Sequence, residues 1–207
     1  MSRLIEDSFQ SANPIIRVHA YKAEDSDGAC SMNLFTYHSV YSVIMEQAIS
    51  ALPNETGGFL LGQTGFDPDC GSWYNWIDEA VPIDATEANP VHFSFSWKDV
   101  DRVRAHRERQ GKALIGWYHT HPGLGIFLSE TDLEKTHQQL FNELFQVALV
   151  YDPMSGRAGY FFREPSGFLD SGIASRREFQ LIKLAVPESE ADSTKTINQL
   201  DSGKEPL

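Results

Sequence analysis

The run Ala113-Leu114-Ile115-Gly116-Trp117-Tyr118 carries no charge and leads straight into His119-Thr120-His121-Pro122. A short apolar run of this kind reads as a strand covered on both faces, since a buried helix would need a longer one. Residues two apart on a strand face the same side, so His119 and His121 aim both imidazoles at one point. Pro122 cannot donate to a sheet ladder and closes the strand. Ser129-Glu130-Thr131-Asp132 then opens a helix, which puts Asp132 in the first turn, where its carboxylate folds back toward the histidines. Two imidazoles and one carboxylate therefore meet where a strand ends and a helix starts.

Around that junction helices and strands mix without a strict βαβ rhythm. This predicts an α+β fold with one mixed, mostly antiparallel sheet flanked by helices in α-β-α layers. A short strand is expected over residues 15–21. Val40, Val43, Ile44, Ala48, Ala51 and Leu52 recur at helical spacing, and Pro53-Asn54 ends that helix. Phe59-Leu60-Leu61 is a compact apolar run, and residues 73–83 and 91–95 carry the aromatic and β-branched side chains of strands. Ser96 with Asp99 forms a capping pattern for a second helix that Gly111 stops, with Val100, Val103 and the stem of Arg107 on one face. A third helix is expected over residues 129–144, with Leu133, Leu140, Phe141 and Leu144 inward. Strands over 147–151 and 158–162 follow, joined by Asp152-Pro153-Met154-Ser155-Gly156. Residues 1–32 read as an N-terminal extension, with a loop at 24–31; residues 33–186 read as the domain, and 187–207 as a disordered acidic tail.

Charge and cysteine usage exclude several classes. The 207 residues hold 29 acidic and 17 basic side chains, a formal net charge of −12. Attraction to a nucleic-acid backbone or an anionic bilayer needs clustered Lys and Arg, so neither is an expected partner. The arginines Arg102, Arg104, Arg107 and Arg109 are diluted by Asp99, Asp101 and Glu108 and read as a solvated helix face. Cys30 and Cys70 are the two cysteines, and they lack a paired spacing, against both a disulfide scaffold and a Cys-rich zinc module. Charges at the start of the chain stand where a signal peptide would be apolar, and no run approaches the roughly 18–20 apolar residues of a membrane span. A cytoplasmic protein is expected.

The ligand set suits zinc. Imidazole nitrogen and carboxylate oxygen satisfy a borderline ion, and three protein ligands leave a fourth position open, as in catalytic rather than structural sites. Taken alone, two histidines at this spacing are an ordinary polar strand face; the proline, serine and aspartate that follow reverse that reading. Glu55 precedes Gly57-Gly58 and is positioned at an edge from which a carboxylate can take a proton from an attacking water and pass it to a leaving amine. The Ser129 hydroxyl can serve the oxyanion that forms when water attacks a carbonyl, beside its ordinary role as a cap. Metal-assisted amide hydrolysis is the reaction class implied.

Glu55 with Gly57-Gly58-Phe59-Leu60-Leu61-Gly62, His119-Thr120-His121-Pro122 and Ser129-Glu130-Thr131-Asp132 resembles the JAMM motif of the MPN domain (Mov34/PAD-1) family of zinc metalloproteases. Gly123-Leu124-Gly125-Ile126-Phe127-Leu128 looks especially like the catalytic subunits of the proteasome lid and the signalosome. The resemblance covers roughly residues 33 to 163. It implies a cytidine-deaminase-like fold and cleavage of the isopeptide bond between the C-terminal glycine of ubiquitin, or a ubiquitin-like protein, and a lysine. By that likeness His119, His121 and Asp132 hold one Zn2+, Glu55 is the general base and acid, and Ser129 steadies the tetrahedral intermediate.

The modifier's extended tail would lie as an added strand, its glycines passing a narrow approach near Gly123 and Gly125, with Phe127 at the rim. The short turn from Asp152 leaves no room for the long second insertion some relatives use to grip ubiquitin. Substrate grip is then expected from residues 84–90 or from a partner, such as a component of a ubiquitin-like conjugation system, and the chain leans toward compact bacterial-type enzymes. Two further readings are a processing protease for a ubiquitin-like or sulfur-carrier precursor and, ranked below it, a non-catalytic MPN scaffold. His92 and His137 read as structural or surface residues.

Overall fold

A computed structural model describes residues 15–19, 32–68, 72–83, 94–163, 169 and 176–180. The expected loop at 24–31, residues 84–90, His92, both cysteines and the tail 187–207 lie outside them. The strands are β1 (Ile15–His19), β2 (Met32–Tyr37), β3 (Gly57–Asp67), β4 (Ser72–Ile83), β5 (Ala113–Thr120), β6 (Val147–Asp152), β7 (Arg157–Phe161) and β8 (Arg176–Gln180). They form one sheet in the order β1-β2-β4-β3-β5-β6-β7-β8. The β2–β4 and β5–β6 pairs are parallel and the other pairs antiparallel, the mixed, mostly antiparallel sheet expected.

Helices cover both faces. Helix α1 (His38–Ala51) lays Val40, Tyr41, Ile44, Met45 and Ala48 on the cluster that holds Leu60, Ile77, Ile115, Tyr118 and Leu149. On the other face Val103 of helix α2 (Trp97–Gln110) joins Phe59, Leu61, Trp117, Phe141 and Val150. The start and stop of α2 are those legible in the sequence. Ser96 accepts from the Asp99 N–H while the Asp99 carboxylate accepts from the Ser96 N–H, and Gly111 ends the helix with φ 63°. Arg102 and Arg104 pair with Asp99 and Asp101 within the helix, as a solvated face would. No helix among the described residues is long and apolar enough to cross a membrane.

Two expectations need correction. Ser94 and Phe95 are not in a strand, and residues 91–93 lie outside the described set. The third helix is shorter and differently wound than its apolar spacing suggests. A π-helical turn, Asp132–His137, runs into a short α-helical piece, Gln138–Leu140, together α3. The chain then leaves helical geometry at Phe141, φ −129° and ψ 78°. Phe141 is still buried, but Leu144, beyond the helix end, is 57% exposed instead of inward.

One irregularity in pairing sets which way the site faces. Leu60 opposes Gly116 while Leu61 opposes Leu114, so Ile115 is an extra residue bulged out of the β3–β5 ladder. A bulge shifts the side-chain alternation by one position. Ile115 therefore joins the α1-side core, and Trp117, two residues on, joins the α2-side core. Without the bulge Trp117 and His119 would both point at α1.

Gly116 is what permits the close approach at this point. A Cβ there would run into the Val147 carbonyl of the neighbouring strand, which is backbone and cannot swing aside. Gly116→Ala is expected to destabilise the fold by more than about 3 kcal/mol, above the usual range for overpacking, read as a lowered urea midpoint. A midpoint within experimental scatter of the parent would refute that account of the β5–β6 contact.

Candidate metal centre

The end of strand β5 and the residue just past it deliver the two histidines at the two-residue period of an extended chain. His119 Nε2 and His121 Nε2 lie 2.8 Å apart, with rings nearly perpendicular, and both residues are buried. The His121 N–H donates to the Tyr151 carbonyl at 2.9 Å, so the residue just past β5 is still tied to β6. Its other ring nitrogen, Nδ1, faces the Gly125 carbonyl at 3.1 Å. A carbonyl only accepts, so Nδ1 carries the proton and the Nε2 lone pair is directed inward. Gly125 presents that carbonyl from φ +87°, a left-handed conformation that favours glycine. Burial, helped by nearby His119, depresses His121 to about 4 against the opposite pull of Asp132, so the ring is neutral at pH 7.

Asp132 arrives from the first turn of α3. Its Oδ2 accepts from both the Ser129 N–H, at 2.8 Å, and the Ser129 hydroxyl, at 2.6 Å, and the Asp132 N–H donates back to Ser129 Oγ at 3.1 Å. Serine and aspartate thus form a reciprocal cap, which fixes the carboxylate 3.5 Å from His119 Nε2. Burial opposes its ionisation, but His119 and the Ser129 hydrogen bonds outweigh that and hold the carboxyl well below the usual range. The ligand atoms of His119, His121 and Asp132 all lie within 4.8 Å of one another. A His121 Nε2 lone pair directed inward, a second buried imidazole nitrogen 2.8 Å from it and an ionised carboxylate form a donor set that fits a borderline divalent metal.

Glu55 reaches the same point from the neighbouring strand. The antiparallel register pairs Gly57 with His119, and reciprocal bonds between Thr56 and Thr120, at 2.8 and 2.9 Å, carry it onward, so Glu55 stands opposite His121. Its Oε1 is 3.8 Å from His121 Nε2 and the residue is only 4% exposed. Burial pushes its carboxyl up to about 7, with His119 pulling the other way and Asp132 reinforcing burial. A carboxyl poised there takes up and releases a proton near neutral pH.

The remaining site residues expected from sequence lie on the loop between β5 and α3. Ile126 and Leu128 are buried anchors, and Phe127 between them is 38% exposed, its ring 4.5 Å from that of His121. Gly123 is exposed at the mouth of this loop. His137 takes the structural of the two roles expected for it: it is buried and accepts a hydrogen bond from Trp117.

Sequence reading missed Asp152. Its Oδ1 accepts from the Gly123 N–H and the Met154 N–H, both at 2.9 Å, and its Oδ2 accepts from the Ser155 hydroxyl. The carboxylate so clamps the β6–β7 turn to the loop that carries Gly123 and Gly125. The bond to Met154 was foreseeable, since aspartate at a turn start commonly binds the backbone two residues on.

Residues 38–162 match the family described as prokaryotic homologs of the JAB domain, more than half of the 207 residues. The chain belongs to this JAB family. Its JAMM-like residues agree with that membership, and the relatives it matches point the same way. It is 34% identical over 118 residues to COP9 signalosome complex subunit 5 of Gibberella zeae, covering 51% of this chain and 33% of that protein. It is 28% identical over 134 residues to ubiquitin carboxyl-terminal hydrolase RPN11 of Saccharomyces cerevisiae, covering 62% and 41% respectively. A stretch of 51 residues is 47% identical to NAD(+) hydrolase TcpA of a Theionarchaea archaeon, covering 24% of this chain and 15% of that protein. The chain spans well under half the length of each of these relatives.

Proposed function

We propose that this JAB-family chain is a zinc-dependent isopeptidase, cutting the bond between the C-terminal glycine of ubiquitin or a ubiquitin-like protein and a target lysine. The observation that carries the reading is the buried Glu55 carboxyl, 3.8 Å from His121 in a group that already holds two histidines and an aspartate. That is one carboxyl more than a metal-holding group of three requires. Kinship with a protein named for ubiquitin C-terminal hydrolysis supports the choice of substrate class.

His119, His121 and Asp132 would hold the zinc, which when bound polarises the scissile carbonyl and acidifies the attacking water. Glu55 accepts the proton of that water as the oxygen attacks the carbonyl carbon. It then hands the proton to the lysine nitrogen as the C–N bond breaks, leaving a carboxylic acid, which ionises and releases its proton to solvent, and a free amine. Ser129 donates a hydrogen bond from its hydroxyl to Asp132, and the same hydroxyl, turned about its side chain, would serve the developing oxyanion. Gly123 and Gly125 bring no side chain to the loop that Asp152 holds beside the site, in keeping with a tail ending in glycines.

The test presents a lysine-linked modifier conjugate and a linear precursor of the same modifier side by side. Cleavage of the conjugate, lost on adding a zinc chelator, is expected. Cleavage of the precursor alone would instead favour a processing protease, and cleavage of neither across a panel of modifiers would favour a scaffold.

A further inference from the structure

The contact between β5 and α3 has two rungs, and the metal group uses one. Trp117 lies two residues before His119 on the same face of β5, and His137 shares the π turn of α3 with Asp132. The upper rung is His119 Nε2 to Asp132 Oδ2, 3.5 Å; the lower is Trp117 Nε1 donating to His137 Nδ1, 3.0 Å. In an α-helix residues five apart lie about 140° around the axis, which would send one of the two side chains away from the strand. The π turn, marked by the Gln138 N–H to Leu133 carbonyl bond, brings both to one side.

An indole N–H is a donor only, so His137 Nδ1 is a bare acceptor on a neutral ring. Burial, with the nearby Arg163 charge, depresses His137 to about 3, in keeping with a neutral acceptor. The imidazole also stacks on Phe141, which fixes its plane. The indole it holds lies against His119, with ring centroids 4.8 Å apart and planes 15° from parallel.

A metal-binding histidine is commonly steadied by a hydrogen bond from its other ring nitrogen. His121 has one, to the Gly125 carbonyl. His119 Nδ1 is buried and has no hydrogen-bond partner among the described residues. The ring stacked on its face is that of Trp117.

We propose that Trp117 and His137 are positioning residues for His119: His137 sets the indole, and the indole face sets the imidazole so that Nε2 points at His121 and Asp132. This rests on the reading of His119, His121 and Asp132 as a zinc site.

The test is the zinc affinity of the full chain, measured by competition with a chromophoric chelator, for wild type, His137→Leu, His137→Asn and Trp117→Phe. Leucine keeps the volume of the side chain and removes the acceptor. Asparagine is smaller but puts an amide oxygen where Nδ1 stood. His137→Leu and Trp117→Phe are each expected to weaken zinc binding by about 10- to 100-fold, and His137→Asn to stay close to wild type. A packing role gives the opposite order, with leucine near wild type and asparagine weak, and would overturn the proposal. Should His137→Leu not fold, Trp117→Phe and His137→Asn decide it: weak against near wild type supports the proposal, and equal affinities overturn it. A wild-type chain that binds no zinc would overturn the zinc reading itself and this one with it, whereas a zinc-binding wild type with unmoved variants sinks the positioning role alone.

Discussion

Glu55→Gln is expected to lower the rate of conjugate cleavage by about 10²- to 10⁴-fold, the range a positioned general base contributes, and to leave zinc binding intact. Glutamine matches glutamate in shape and keeps polar atoms beside His121, but its amide has no basic oxygen to take a proton from water. The three-residue group of His119, His121 and Asp132 is complete without Glu55. The fold should not suffer, because burial already disfavours the charged form of Glu55, whose carboxyl is pushed up to about 7. Metal content and cleavage rate measured on one preparation check both halves. A variant that cleaves at the parental rate would take the proton-transfer role away from Glu55.

His119→Ala is expected to fail on both measurements. It removes one of three ligands, and it removes the ring that packs on Trp117 and meets both His121 and Asp132. Zinc affinity should fall by more than about 100-fold, beyond what losing an outer hydrogen-bond partner of a ligand costs, and cleavage should vanish with it. Far-ultraviolet circular dichroism should stay close to the parent, since the strand is held by its ladders to β3 and β6. Parental zinc content in a folded His119→Ala protein would contradict the ligand assignment. Set beside Glu55→Gln, this variant separates binding of the metal from use of it.

What could be read from sequence was what depends on near neighbours. Ser96, Asp99 and Gly111 bound α2 because a cap and a left-handed stop are settled within one turn. His119 and His121 converge because the period of a strand is fixed, and Asp132 follows because the cap with Ser129 is equally local. The bulge at Ile115 was not legible: it belongs to the pairing of β3 with β5, yet it decides which core the Trp117 and His119 face joins. The π turn escaped for a related reason. Apolar spacing in residues 129–144 fits a period of 3.6 and puts Leu144 inward, whereas the winding changes at Asp132–His137 and the helix ends before Leu144. Asp152 was visible as a turn residue, but its bond to the Gly123 N–H spans 29 positions and exists only once β6 lies beside β5.

If a zinc ion held by His119, His121 and Asp132 lets Glu55 drive isopeptide hydrolysis, cleavage must come and go with the metal. The most direct measurement follows cleavage of a lysine-linked ubiquitin or ubiquitin-like conjugate by the full chain, first as purified, then with a zinc chelator, then with zinc restored. Cleavage behind the modifier's terminal glycine is expected, abolished by the chelator and recovered with one zinc per chain. Cleavage that persists unchanged in a chain stripped of zinc would contradict that role for the metal.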